Sequence, residues 1–316
     1  MNVKYQLISS LLLVSSSLFA SPHAYISNQL DNTVAVIDLK DNRVIKSIAV
    51  KGKPVGVAVN PVLKQVYIST PSGEGFTVLD SESLTVIDRV KVGGASVGIA
   101  VSPNGQRIFV ADWYENTVSI FNSANLKREK ILTVGKSPSG LAVSADNKWL
   151  YVANRMDNSV SKINLKTLII EKTVTVGKHP FGLHLDKTGQ FLYVANVESD
   201  DVSVLNAIKF NEVARINVGE RPYAATSALN GRLLFVTNQD DSSVSVIDTK
   251  KRQEIKKIEV GDKPEGISVE PNGQYVYVAN WFDGTVSVID ARSLSVVKTI
   301  VSGEGSRAFG DFIIEN

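Results

Sequence analysis

Apolar and polar positions in this chain alternate in short bursts of four to eight residues, and β-branched side chains dominate each burst. The run "VYVANWFDGTVSVID" at 276–290 is representative. Two bursts rich in Val, Ile and Tyr flank a short break of aromatic, acidic and glycine residues. Bursts of this length and composition, bounded by turn formers, predict strands. In the last repeat four follow in succession, "EGISVE", "YVYVAN", "GTVSVID" and "SVVKTIVS", joined by "PNGQ", "WFD" and "ARSL". Links this short permit only antiparallel neighbours, so the four strands form one sheet. Both alternating faces of "VYVAN" are largely apolar, so this sheet is covered on both sides.

The pattern recurs with a fixed period. Tyr25, Tyr67, Phe109, Tyr151, Tyr193, Phe235 and Tyr277 follow one another at intervals of 42 residues. Asp38, Asp80, Asn122, Asn164, Asn206, Asp248 and Asp290 keep the same step, as do Gly93, Gly135, Gly177, Gly219, Gly261 and Gly303. Seven repeats of 42 occupy 294 of the 316 residues. Four-stranded sheets repeated in a circle bury their faces against one another, which predicts an all-β, seven-bladed β-propeller. The first repeat begins at "AYISN" without a first strand, and "GSRAFGDFI" at the C-terminus occupies the place of "KPVGVAV" at 53–59. The C-terminal strand is therefore expected to complete the N-terminal blade and remove two sheet edges. Asp311 falls where Val59, Val101 and Val143 sit, which predicts a bulge or register shift there.

The repeated words "YISN", "YVAN" and "FVTN", followed by "TVSVID" and "VG", resemble the YVTN-repeat β-propeller family, the YncE-like group of exported bacterial proteins. The resemblance spans residues 24–313. It implies the fold, and it carries over no catalytic residue. Repeat two departs from the pattern, with "YIST" for "YVAN" and "PVLK" for "PNGQ".

The chain ends add a location. Lys4, the apolar "LISSLLLVSSSLF" and "LFA" before Ser21 read as a signal peptide over residues 1–20, leaving a single propeller domain over 21–316. The expected location is the periplasm or the exterior. The apolar run is too short and serine-rich for a membrane span. There is no cysteine, which excludes disulfides, covalent c-type haem attachment and thiolate metal sites. The net charge of +2 falls to +1 without Lys4, so bulk electrostatics give no strong attraction to nucleic acid.

Candidate chemistry lies where the repeats differ. Strand reversal places the loop entering the innermost strand and the loop after "YVAN" on one face. Small residues on the inner strand, Gly56, Gly98, Gly140, Gly182 and Gly266 with Ala224 and Ala308, let seven strands crowd the axis. Around the mouth the repeats place Lys53, His179, Phe181, Arg221, Tyr223, Lys263, Glu265 and Arg307, with Trp113, Arg155 and Trp281 from the neighbouring loops. Repeats two to four contribute mainly small neutral groups to the inner ring, among them Ser137 and Ser139. A cationic sector with aromatic walls suits an anionic or aromatic ligand, through charge-assisted hydrogen bonds and stacking. The bland alternative is a set of solvated loop ends balanced by Glu220, Asp262, Glu265 and Glu304.

Other motifs carry no chemistry. "GASVG" around Ser96 lacks the strand-to-helix turn of a nucleophile elbow, and "GEGSRA" at 303–308 lacks the helix of a dinucleotide site. His179 and His184 are five apart and expected on opposite faces of one strand, so they form no metal site. His23, beside the mature terminus, is expected to be mobile. The basic "KKRQEIKK" at 250–257 reads as a solvated outer edge. The expectation is thus an exported, non-catalytic propeller that binds a small ligand or a protein partner on its loop-rich face, with no metal and no cofactor. A lactonase, lyase or redox-accessory enzyme is the alternative. Binding of single-stranded nucleic acid is a minor one, opposed by the balanced charge.

Overall fold

A computed structural model describes residues 21–73 and 75–315; the signal-peptide reading of 1–20 lies outside them. Seven four-stranded antiparallel sheets surround one axis. The chain is a seven-bladed β-propeller. Six blades are continuous in sequence, with inner strands at Val57–Asn60, Ser96–Val101, Pro138–Val143, Pro180–Leu185, Pro222–Ala228 and Pro264–Val269. The seventh repeat's strands lie at Pro264–Val269, Tyr275–Asn280, Thr285–Asp290 and Ser295–Val301, within a residue or two of the bursts that predict them. Repeat two keeps all four strands despite its divergent words.

The first blade is built from both ends of the chain. Its second to fourth strands are His23–Asn28, Thr33–Asp38 and Arg43–Ala49, and Ile313–Ile314 supplies the inner one. Ser306 pairs with Asn28, the register of the other blades. That register would set Asp311 opposite Ala24, but Ile313 takes the place. The strap has slipped by two residues, which keeps the parity of the faces while extruding Asp311. Phe312 and Ile314 are buried beyond the slip, and the Tyr25 amide donates to the Phe312 carbonyl at 2.9 Å. His23 is held here too. It starts a strand and pairs with Asp38 and Ile314, so it is not the loose terminal residue expected from its position.

The repeated words have local physical causes. The aromatic that opens each "YVAN" fills the space between blades, and Tyr25, Tyr67 and Tyr277 are fully buried. The Tyr277 hydroxyl donates to Asn42 of the next blade at 2.7 Å. The asparagine that closes "YVAN" turns inward: Asn280 donates to Thr285 and Ser287, each at 3.0 Å, and Asn238 donates to Ser243 and Ser245. This explains the polar positions inside "TVSV". The glycine of "VG" completes the knot, since a Cβ on Gly261 would lie 2.6 Å from the Asn280 amide nitrogen.

At the axis the small residues act as the pattern requires. A Cβ on Gly98 would meet the Ser139 carbonyl oxygen at 1.8 Å, and one on Gly140 the Phe181 carbonyl at 2.2 Å. In three blades a hydroxyl replaces the alanine of "YVAN" and ties neighbouring inner strands together. Ser69 accepts from the Gly56 amide at 2.8 Å and donates to the Val97 carbonyl at 2.7 Å. Ser27 and Thr237 repeat the arrangement. The outermost strands are charged and largely exposed, and "KKRQEIKK" spans the turn into one of them and its first five residues.

Candidate binding site at the mouth

Two loops per blade converge on one face, and backbone bonds lock them together. The residue before the inner strand and the residue after "YVAN" are joined in six blades. The Arg155 amide donates to the Ser137 carbonyl, Val197 to His179, Gln239 to Arg221, Trp281 to Lys263, Trp113 to Ala95, and Gln29 to Gly305. Lys53, Ser137, His179, Arg221 and Lys263 all adopt left-handed φ between 50° and 55° just before a proline. That conformation is costly for residues with a side chain. Four of them recover part of the cost through an amide bond to the preceding blade, with Asn32, Asn116, Asn158 and Asp200 accepting. The rim is therefore rigidly presented.

Inside this rim lies a cavity of about 410 Å³. Trp113, Arg155, Phe181, Arg221, Tyr223 and Arg307 line it, so six of the residues singled out from sequence meet around one cavity. Gln29, Pro71, Val197 and Gln239, which sequence reading passed over, line it as well. The period itself locates them: stepping by 42 from Trp113 and Arg155 reaches each one. No carboxylate belongs to the lining. Phe181 packs at a tilt against Tyr223, ring centroids 4.1 Å apart, and both line the cavity; Phe309 packs behind, its ring centroid 4.8 Å from that of Phe181.

The three arginines differ. Arg307 is ion-paired with buried Glu265 and donates to the Tyr223 hydroxyl at 2.8 Å and to Gln29 at 3.3 Å. Burial works against its charge, but Glu265 and Tyr223 outweigh this and raise its pKa. Gln239 donates to the same Glu265 carboxylate at 2.7 Å. Arg221 is shared between Glu198 at 2.9 Å and Asp240 at 3.7 Å. Arg155 forms no ion pair among the described residues. Its guanidinium lies 5.3 Å from the Trp113 ring centre, and its buried Nε has no hydrogen-bond partner. Burial lowers its pKa and the Arg221 charge adds to that, while Tyr223 and Glu198 oppose it. An unpaired, half-desolvated guanidinium against an indole is a ready receptor for a carboxylate or sulfonate.

The remaining candidates stand around the cavity rather than in it. Lys263 pairs with Asp240 at 2.8 Å. His179 lies 3.7 Å from Glu198. Trp281 donates to Gln29 at 3.3 Å, Glu265 is buried behind Arg307, and Lys53 lies on the rim at the entry to its inner strand. Of the four carboxylates expected to balance the sector, Glu265 does so; Glu198 and Asp240 take the part foreseen for the others. Ser139 is not a mouth residue. It is fully buried and donates to the Phe181 carbonyl across the blade interface. His179 precedes the inner strand Pro180–Leu185 rather than lying on it, while His184 lies within that strand, so the expected placing on opposite faces of one strand does not describe the pair. Among the described residues no group of three His, Asp or Glu side chains is placed to hold a metal ion.

Residues 125–209 match a family profile described as "Lactonase, 7-bladed beta-propeller", and residues 222–307 match one described as "Cytochrome D1 heme domain". Each covers well under half of the chain. Comparison with curated proteins found no match. Among solved structures the chain is similar to a functionally unknown protein from Desulfotomaculum acetoxidans, with TM-score 0.81, 12% identity, 93% of this chain and 98% of the other covered. It is also similar to hydrazine synthase of Kuenenia stuttgartiensis, with TM-score 0.73, 19% identity and coverages of 80% and 88%. A third is the dihydro-heme d1 dehydrogenase NirN in complex with DHE, with TM-score 0.70, 15% identity and coverages of 94% and 75%. At such identities the likeness is one of fold. No helix among the described residues is long and apolar enough to cross a membrane.

Proposed function

We propose that this chain is an exported binding protein of the YVTN-repeat group whose mouth takes a small planar anion. The observation that carries this reading is Arg155, the one mouth arginine that forms no ion pair among the described residues, held against Trp113 in a cavity without acidic lining. The aromatic lining of Phe181 and Tyr223 accepts a flat ring. Arg155 donates to its acid groups and Arg221, shared with Glu198 and Asp240, adds positive charge beside them, while Arg307 keeps Tyr223 and Gln29 in place. The test is titration with benzene-1,2,4-tricarboxylate, read by tryptophan fluorescence and calorimetry. Saturable binding that weakens about tenfold or more in Arg155→Gln and persists in Ser137→Ala supports the reading. Absence of binding, or equal binding by Arg155→Gln, overturns it.

A tetrapyrrole with carboxylate side chains is the form of planar anion that the heme d1 profile favours, since the matched residues include Tyr223, Gln239, Glu265 and Arg307. The residues present fit its periphery and its face. Arg155 and Arg221 would hold carboxylates, Trp113 and Tyr223 would flank the ring, and the nearby His179 Nδ1 makes no hydrogen bond. Metal-free protoporphyrin IX tests the macrocycle alone, and a Soret shift abolished in Arg155→Gln is the expected result. The lactonase match favours an enzyme instead, and turnover of a panel of lactones by the purified protein would establish that reading.

A further inference from the structure

The axis holds a second cavity, of about 310 Å³, below the aromatic cluster. Phe309 lies in its wall and packs against Phe181 and Tyr223 of the mouth, so the aromatic rings stand between the two spaces. The lower lining is almost wholly neutral. Val59, Val101, Val143, Leu183 and Leu185 supply apolar walls, and the inner strands present their unpaired backbone edges to the axis. Two titratable side chains face it, His184 and Asp311. His184 is bonded to Ser227 at 2.9 Å and is held neutral by burial, its pKa near 4. Asp311 makes no hydrogen bond or ion pair among the described residues. It is an exposed residue in the cavity lining, and the partial burial of its carboxyl among the inner strands raises its pKa.

The position of Asp311 follows from closure of the ring. A strap in the common register would put a hydrophobic contact here, as Val59, Val101 and Val143 do. The two-residue slip buries Phe312 and Ile314 instead and leaves the carboxylate on the axis. A solitary carboxylate among backbone carbonyls and aliphatic walls is complementary to a group with several N–H donors, one positive charge and an apolar tail.

From this we infer that the lower axial cavity is a second binding site, for a small primary alkylammonium, with Asp311 receiving the ammonium and Val101, Val143 and Leu183 the chain. One N–H bonds the carboxylate and the others reach the free carbonyls of the inner strands. The inference is independent of the mouth, since it uses none of its lining residues.

Calorimetry of the whole exported chain with n-butylammonium chloride at neutral pH tests it. One saturable site is expected, weakened about tenfold or more in Asp311→Asn and unchanged in Arg155→Gln. In the wild type the ¹³C resonance of the Asp311 carboxyl should move on titration, which reads the contact without any variant. No saturable binding, or binding that ignores Asp311→Asn, overturns the proposal. So does a site that takes calcium chloride in an Asp311-dependent way while rejecting butylammonium, because the cavity would then be a metal site.

Discussion

Arg307 on the closing strap and Glu265 on the inner strand of the seventh blade form a buried ion pair that joins the chain's last segment to its neighbour. The strap thus meets the ring through a charge as well as through its apolar residues. Removing one partner strands the other. Arg307→Ala is expected to cost about 3–5 kcal/mol, because Glu265 would remain buried without its cation. Arg221→Ala, at a more exposed and shared pair, should cost about 1 kcal/mol or less. Chemical denaturation of both variants checks the contrast, and equal costs would contradict it. The double change Arg307→Met with Glu265→Leu should recover most of the loss.

Ring closure itself predicts a second outcome. Deleting residues 306–316 removes Phe309, Phe312 and Ile314 from the core and opens the edge of the Ala24 strand. Aggregation or a large fall in melting temperature is expected. A truncated protein that elutes as a monomer and melts unchanged would refute the closure.

The asparagine knot predicts a third. Asn280→Ala leaves the buried Ser287 hydroxyl without its donor and should cost about 1–3 kcal/mol. Gly261→Ala pushes a methyl group into the Asn280 amide and should cost a similar amount, roughly 1–3 kcal/mol. The two losses should be less than additive in the double variant, since the smaller side chain at 280 makes room for the new methyl.

Acidification should expose the state of His184. Its folded pKa of about 4 lies below the unfolded value of 6.5, so the unfolded chain binds the extra proton between those values. The stabilising contribution is complete above pH 6.5 and is lost as the pH falls towards 4. It amounts to at most about 3 kcal/mol, since His184 lines the cavity and is only partly enclosed. Stability measured against pH should flatten over this window in His184→Asn; an unchanged slope would show that other groups carry it.

The strands, their number and the ring were legible in the sequence, because each depends on a rule of short range repeated seven times. The alternation of Val and Ile sets the pleat, a glycine and an asparagine matched like Gly261 and Asn280 recur in five of the seven repeats, and the glycines at the axis answer a crowding that the period alone implies. The loop-rich face was legible for the same reason, and stepping by 42 residues names its lining. What the sequence could not determine is which charges are spent. Arg155, Arg221 and Arg307 all reach the same face from different positions in the repeat, yet Glu265 is buried against Arg307, Glu198 and Asp240 share Arg221, and Arg155 lies over the Trp113 ring. Those differences arise from contacts between blades, where side chains far apart in the chain meet at distances that no local pattern encodes. Asp311 is the same case: its mismatch was visible as a break in the period, but only packing of Phe312 and Ile314 decided that the slip is two residues and that the carboxylate faces the axis.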